Sequence, residues 1–384
     1  MFGKRITLFT LFGFAIRIDA SWLLIVALVT WSLAVGFFPA LYPGLSTGSY
    51  WWMAGAGALL LFGSVIVHEL FHSLVARHYG LPMKGITLFI FGGVAEMAEE
   101  PPSAKAEFYM ALAGPVASIL IGFLFYGLTL ATRHVWPIQA VAVMTYLYFI
   151  NWVLAGFNLI PAFPLDGGRV LRSALWHFRG DLRKATRTAS AIGSGFGVAL
   201  MVLGVLQLFT GYFVAAVWWF IIGLFLRSIS QQSYRQVLVS STLAGEPVRR
   251  FMTTDPDTVP PYISIEELVN DHIYRYHHSM FPVVAEEGRL DGCVTTDGVK
   301  KIPRDEWDRH TVREIASACS PANTITPDTD ANDALAMMNR TGVSRLMVVS
   351  DGRLVGIVTL KDLLGFLARK LELQGEEPPS RRAA

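Results

Sequence analysis

His68, Glu69 and His72 fall within one and a half helical turns of each other in an apolar stretch, GSVIVHELFHSLVARH, residues 63–78. On a helix, side chains four residues apart share a face, so the two imidazoles can share one ion. Glu69 is displaced around the helix, placed to serve a water beside that ion rather than to bind it. H-E-x-x-H is the pattern of zinc peptidases, in which the metal lowers the pKa of water toward about 7 and the glutamate takes its proton. Ionisable groups inside a membrane helix cost a few kcal/mol each on insertion scales, which argues against an accidental cluster.

A catalytic zinc takes three protein ligands and keeps one position open. A third candidate stands in FNLIPAFPLDGGRV, residues 157–170, where Pro161 and Pro164 interrupt a helix ahead of Asp166. Irregular backbone at membrane depth is tolerated where it lines a protein cavity. Asp166 is then either a ligand facing that cavity or the cap of the helix that follows. Depth favours the ligand. His68 lies nine residues before Arg77 at the inner end of its span, about 13 Å at 1.5 Å per residue, and the span leading to Asp166 also runs inward.

The elements that must position these groups are membrane spans. The chain is 384 residues long, 53% hydrophobic and 16% charged, with mean hydropathy +0.43. That is too apolar for an ordinary soluble protein and fits a membrane protein with a soluble part. Apolar stretches occur at 22–38, 51–76, 106–131, 138–160, 189–209 and 212–226; spanning takes about 20 residues, so the first and last are short. Lys4, Arg5 and Arg17 precede the first. Arg77, Lys84 and Lys105 flank one link, and Arg169, Arg172, Arg179, Arg183, Lys184 and Arg187 crowd another, whereas the alternate loops hold only Arg133. The positive-inside rule puts both termini in the cytoplasm, consistent with an even number of spans. No cleavable leader is evident at the start. The net charge of +2 gives no field that would point to nucleic acid. Cys293 and Cys319 imply no disulfide framework and suit a reducing compartment.

Between the second and third spans, GLPMKGITLFIFGGVAEM (residues 80–97) carries a β-branched and aromatic run closed by Gly92-Gly93. It reads as a hairpin dipping toward the membrane. Its edge could pair with an extended peptide. Beyond about residue 231 the composition turns mixed and charged. TVPPYISIEELVND recurs as TITPDTDANDALAM, SMFPVV as SRLMVV, and EGRLDGCVT as DGRLVGIVT. Each copy reads as strand, helix, strand, a turn at Gly288 or Gly352, and a strand ending at Thr295 or Thr359.

On these residues the chain resembles the site-2 protease family, intramembrane metalloproteases, of the kind that carries a C-terminal CBS-domain pair. HELFH matches that family's H-E-x-x-H, NLIPAFPLDGG matches its N-x-x-P-x-x-x-L-D-G, and ALAGPVAS is similar to its A-G-P segment. Together they cover roughly residues 20–180. Ser118 departs from the family's G-P-x-x-N, which weakens any role assigned to that position. The resemblance implies one zinc per chain held by His68, His72 and Asp166, with Glu69 as general base and Asn158 near the metal, supporting the oxyanion. It also implies a re-entrant hairpin and a substrate that is a membrane-anchored protein cut within its transmembrane segment, in a prokaryotic cell membrane. The repeats resemble CBS domains, which commonly bind adenine nucleotides. GIVTLKD keeps that pattern, with Thr359 and Asp362 toward phosphate and ribose, whereas the first copy has Gly298 where the acid is expected.

The expected fold is a polytopic α-helical membrane protein of six transmembrane helices with a re-entrant β-hairpin, plus a cytoplasmic α/β CBS-domain pair. The expected division is residues 1–230 for the protease domain, 231–244 for a linker, 245–300 and 311–370 for the repeats, and 371–384 for a disordered tail. The expected function is regulated intramembrane proteolysis gated by the CBS pair, with a homodimer through that pair plausible and no nucleic-acid partner. The alternative is a CBS-regulated transporter or channel. Asp19 reads as an anchor or cap, His134, His177, His277 and His278 as interfacial or surface residues, and Trp218 and Trp219 as packing.

Overall fold

A computed structural model describes residues 6–81, 83–90, 92–97, 100–210, 213–285 and 288–373. The chain divides into two compact units, residues 1–234 and 235–384.

The first unit opens with a hairpin, β1 (Ile6–Leu11) and β2 (Phe14–Ile18). Phe12 and Gly13 both have positive φ, as a two-residue hairpin turn of the primed type requires. A helical run Ala20–Leu41 follows, made of α1 (Ala20–Ser32), a π-helical turn at Leu33–Phe37 and α2 (Phe38–Leu41). Asp19 caps it, its Oδ1 accepting from the Ser21 backbone N–H at 2.9 Å. α3 (Thr47–His78) carries the His68–His72 stretch and stops at Tyr79-Gly80, where Gly80 takes a positive φ. β3 (Met83–Phe89) and β4 (Gly92–Met97) form the expected hairpin. It does not stand alone, because β3 pairs in parallel with β2 and the sheet order is β1-β2-β3-β4. Phe14, Ile16 and Ile86 of this sheet bury against Leu70 of α3, with Ile66 and Leu74 alongside. One stripe of α3 thus holds the sheet, and the stripe containing His68 and His72 is left for other helices.

The remaining helices of this unit are α4 (Ala104–Thr132), α5 (Ile138–Asn158), α6 (Asp166–Arg179), α7 (Leu182–Leu208) and α8 (Phe213–Leu243), of which α4 and α5 pack on α3. Close approach is bought with glycine: a Cβ on Gly193 of α7 would meet the Phe163 carbonyl oxygen, and one on Gly197 would lie 2.6 Å from the Gly223 oxygen of α8. Among the described residues, five helices are long and apolar enough to cross a membrane: Ala20–Leu41, Thr47–His78, Ala104–Thr132, Ile138–Asn158 and Leu182–Leu208. Leu23, Leu24, Leu59, Leu60, Phe123 and Leu124 on them are exposed, as lipid-facing side chains must be. The sixth expected span falls on α8. Its apolar part, residues 213–226, continues without a break into a polar end that carries Arg227, Gln231, Gln232 and Arg235. Residues 231–243, read from the sequence as linker, are the last turns of α8.

In the second unit two three-stranded sheets repeat one plan. One has the order β5-β6-β7 (Met280–Val284, Leu290–Thr295, Ser317–Ala318). The other is built of β8 (Thr324–Ile325), β9 (Arg345–Ser350) and β10 (Arg353–Thr359), in the order β10-β9-β8. The repeats exchange backbone. β7, which leads into the second copy, pairs with β6 of the first, and Thr253, which leads into the first, exchanges two 2.9 Å hydrogen bonds with Ile357 of β10. Residues 371–373, assigned to the tail from the sequence, instead end the helix Leu360–Leu373, whose Leu371 is fully buried. The rest of the expected disordered tail lies outside the described residues.

Candidate metal centre

His68 and His72 turn the same edge toward one point, with their Nε2 atoms 3.1 Å apart. Asp166 Oδ2 stands 3.2 Å from His68 Nε2 and 3.3 Å from His72 Nε2. All three side chains are buried. Asp166 does not cap α6: Leu165 occupies the N-cap position and Asp166 is the first helical residue. The tight link that delivers it rests on two glycines. A Cβ on Gly167 would meet the Leu159 carbonyl, and one on Gly168 would meet the backbone of Ala162 and Phe163.

α4 supplies the rest. The Met110 carbonyl accepts from His72 Nδ1 at 2.6 Å, and Ser118 Oγ lies 2.9 Å from His68 Nδ1. The Met110 carbonyl takes the Nδ1–H of His72, so that ring presents its Nε2 lone pair as a metal requires, and Ser118 Oγ orients the His68 ring. Between these two contacts sits Gly114, where a Cβ would lie 2.2 Å from His72 Nε2 and 2.5 Å from His68 Nε2. The A-G-P segment is therefore a steric allowance for the histidine pair.

The donor set fits zinc. Two lone pairs and a carboxylate oxygen crowded together repel unless a cation or proton lies among them. Ligand atoms about 2.05 Å from one tetrahedral ion stand about 3.3 Å apart, close to the three separations observed. His68, His72 and Asp166 form the one group of this kind found among the described residues.

Glu69 is half-buried and packs on β4, where a Cβ at Gly93 would come 2.5 Å from its Cγ. Asn158, the last residue of α5, is half-buried. Thr359 and Asp362 form a reciprocal pair at the start of the helix Leu360–Leu373. Asp362 Oδ2 accepts from the Thr359 N–H at 3.0 Å and its hydroxyl at 2.7 Å, and the Asp362 N–H donates to Thr359 Oγ1 at 3.2 Å.

Sequence reasoning discounted Ser118, which sits against the first histidine, and missed Asn151. Asn151 is wholly buried and donates to Ser64 Oγ at 3.2 Å and to the Leu147 carbonyl at 2.8 Å, tying α5 to α3 one turn before His68. It also missed the burial of Glu107 and Arg172. A signal existed: Glu107, Met110, Gly114 and Ser118 recur at three- and four-residue steps, one stripe of α4.

The profile of Peptidase family M50 matches residues 56–136 and 128–204, and that of the CBS domain matches 248–303 and 312–369. The protein named "Putative zinc metalloprotease sll0528" of Synechocystis sp. is 33% identical over 368 residues, covering 95% of this chain and 96% of that one. "Zinc metalloprotease MJ0392" of Methanocaldococcus jannaschii is 34% identical over 318 residues, 83% of this chain and 86% of that one. Among solved structures, the site-2 protease from Methanocaldococcus jannaschii is similar over 60% of this chain and 95% of that chain, at 29% identity and TM-score 0.43. Given the near full-length likeness to sll0528 and the two family matches, the chain belongs to peptidase family M50, the zinc metalloproteases of the site-2 protease family, and carries a CBS-domain pair.

Proposed function

We propose that the protein is an intramembrane endopeptidase that cuts the transmembrane segment of a membrane-anchored protein, using one zinc held by His68, His72 and Asp166. The observation that carries this reading is the meeting of three ligand-capable atoms within 3.3 Å, on helices long and apolar enough to span a bilayer. Zinc in such a site polarises the scissile carbonyl and makes water nucleophilic near neutral pH.

The chain's own groups do the remainder. Glu69 takes a proton from the attacking water on a carboxylate oxygen and returns it to the amide nitrogen of the departing peptide. Asn158 donates its side-chain N–H to the oxyanion. A helical substrate has its amides hydrogen-bonded, so the segment must unwind before attack, and helix-breaking residues near the cut favour this. β4 is an edge strand with Gly93 against Glu69, which supports an extended substrate adding to that edge as a further strand.

In this reading α8 completes six spans, the β3–β4 hairpin is re-entrant, and both termini and the CBS pair lie in the cytoplasm, following the basic links at 77–105 and 169–187. The CBS pair gates the protease, with an adenine nucleotide near Thr359 and Asp362 as the ligand and a homodimer as the assembly. Membership of a peptidase family removes the ground for the transporter alternative.

The test is cleavage of single-span substrates containing helix breakers by reconstituted protein, comparing wild type with Glu69→Gln and measuring zinc in both. Wild-type cleavage inside the span, with loss of about 10²–10⁴ in rate in a zinc-loaded Glu69→Gln, is the expected result. A zinc-loaded Glu69→Gln that cuts at the wild-type rate removes the base role. Wild type that holds no zinc removes the site.

A further inference from the structure

Arg172 and Glu107 are charged, buried and outside the metal set. Arg172 is 3% exposed and Glu107 wholly buried. Arg172 Nε donates to Glu107 Oε1 at 2.6 Å, and its Nη2 reaches both that oxygen and Glu100 Oε2, the latter at 3.3 Å. Arg169 Nε lies 3.8 Å from the same Glu107 oxygen, and the Arg172 guanidinium covers the Phe163 ring at 5.1 Å. Glu107 stands in the first turn of α4, where the helix dipole favours a carboxylate.

The pair joins two helices that the metal centre needs in register. α6 starts with Asp166, and Arg172 lies six residues along it. α4 carries Glu107, then the Met110 carbonyl on His72, Gly114 under both imidazoles, and Ser118 on His68. α4 is thus the template that orients the histidines, and the Arg172–Glu107 contact fixes the aspartate's helix to that template. Glu100, three residues beyond the end of β4, draws the exit of the edge strand to the same guanidinium.

We infer that the Arg172–Glu107 pair is a positioning clamp that holds Asp166 in place for the metal. This rests on the reading of His68, His72 and Asp166 as the zinc ligands. Groups that orient metal ligands typically change metal affinity about ten- to hundredfold when removed, which sets the expected effect.

The test uses full-length protein in detergent or nanodiscs and compares wild type with Arg172→Met/Glu107→Leu. The double substitution removes both charges together, because a single one would strand its partner in a buried site. Zinc retention is read by chelator competition, and ligand geometry by the visible spectrum of the cobalt-substituted protein. A protease-resistant double variant that loses zinc at least about tenfold more readily, with a changed cobalt spectrum, is the expected result. Wild-type retention and an unchanged spectrum in that variant overturn the clamp. Should the double variant be protease-sensitive, Arg172→Lys decides: it keeps the charge but lacks the guanidinium fork, and wild-type retention in it likewise overturns the clamp. If wild type itself holds no zinc, the metal reading fails first.

Discussion

The two units spend their motif residues differently. In the first, His68 and His72 are held by partners 50 and 38 residues away in sequence, Ser118 and the Met110 carbonyl. Once those contacts are counted, three ligand-capable atoms remain aimed at one another. In the second, Thr359 and Asp362 satisfy each other over three residues as a helix cap. Polar groups oriented by distant partners whose lone pairs converge in a buried place are arranged to share a cation. Polar groups that close a local capping pair already have a structural reason to be there. The contrast supports the protease site directly and leaves the nucleotide reading resting on resemblance.

Gly114→Ala offers the sharpest way to break the comparison. The added Cβ would fall 2.2 Å from His72 Nε2, so the imidazoles must move. Misplacement of a catalytic group by about 1 Å can cost about a hundredfold, and a loss of that size or more is expected in cleavage rate, together with lost zinc. Gly127→Ala on the same helix, where a Cβ would meet nothing within 4 Å, should leave both unchanged. Equal behaviour of the two variants would remove the steric reading of the A-G-P segment. Ser118→Ala comes next: it takes away the hydroxyl at His68 Nδ1 and should weaken zinc binding about ten- to hundredfold, measured by the same competition. Unchanged affinity would mean that burial alone holds the ring.

In the second unit the expected effect is smaller. Asp362→Ala should cost about 1 kcal/mol of that unit's stability through the lost cap, seen as an earlier thermal transition, with zinc content unaltered. The nucleotide proposal adds a requirement. AMP should raise the wild-type transition by mass action and fail to raise that of Asp362→Ala. A transition that AMP leaves unmoved in wild type would make the pair a cap and nothing more.

The legible parts of the sequence were those whose meaning is local. The spacing of His68 and His72 puts them on one face whatever the surroundings, and the repeats give each strand ending at Thr295 and Thr359. Asp166 could be reached through depth, because helical rise is the same in every span. The illegible parts were those decided by packing between distant segments. Arg172 counted as one more loop cation, since charge counting cannot distinguish an arginine turned inward onto Glu107 from one facing water. Ser118 was judged by its departure from a pattern, although a serine hydroxyl suffices at 2.9 Å. The β1–β2 hairpin was overlooked despite alternation in ITLFTL and FAIRI around Phe12-Gly13, because its neighbour β3 comes 65 residues later. The helix that carries the apolar stretch 189–209 begins earlier, at Leu182, because Asp181 accepts from the Lys184 N–H at 3.1 Å and starts it among charged residues.

The smallest expected effect tests whether local pairing in the second unit stays modest where it involves charge. His310 Nδ1 lies 2.6 Å from Glu314 Oε2, and Glu314 also closes a capping box with Thr311. Donating its Nδ1–H to the Glu314 carboxylate raises the His310 pKa above its ordinary 6.5, and accepting that bond lowers the pKa of Glu314 below its ordinary 4.5. A raised histidine contributes stability that is complete below pH 6.5 and fades as pH climbs through the folded value. A lowered glutamate contributes stability that is complete above pH 4.5 and fades as pH falls through its own folded value. The pair therefore helps most between pH 4.5 and 6.5. Both side chains are solvent-exposed, so salt and water screen the gain. Comparing His310→Gln with wild type across pH 4 to 9, the difference in the second unit's thermal transition should peak inside that window and shrink above it. It should also shrink in high salt. A difference that grows with pH would give the interaction the wrong sign, and one untouched by salt would mean the pair is held by something other than exposed charge.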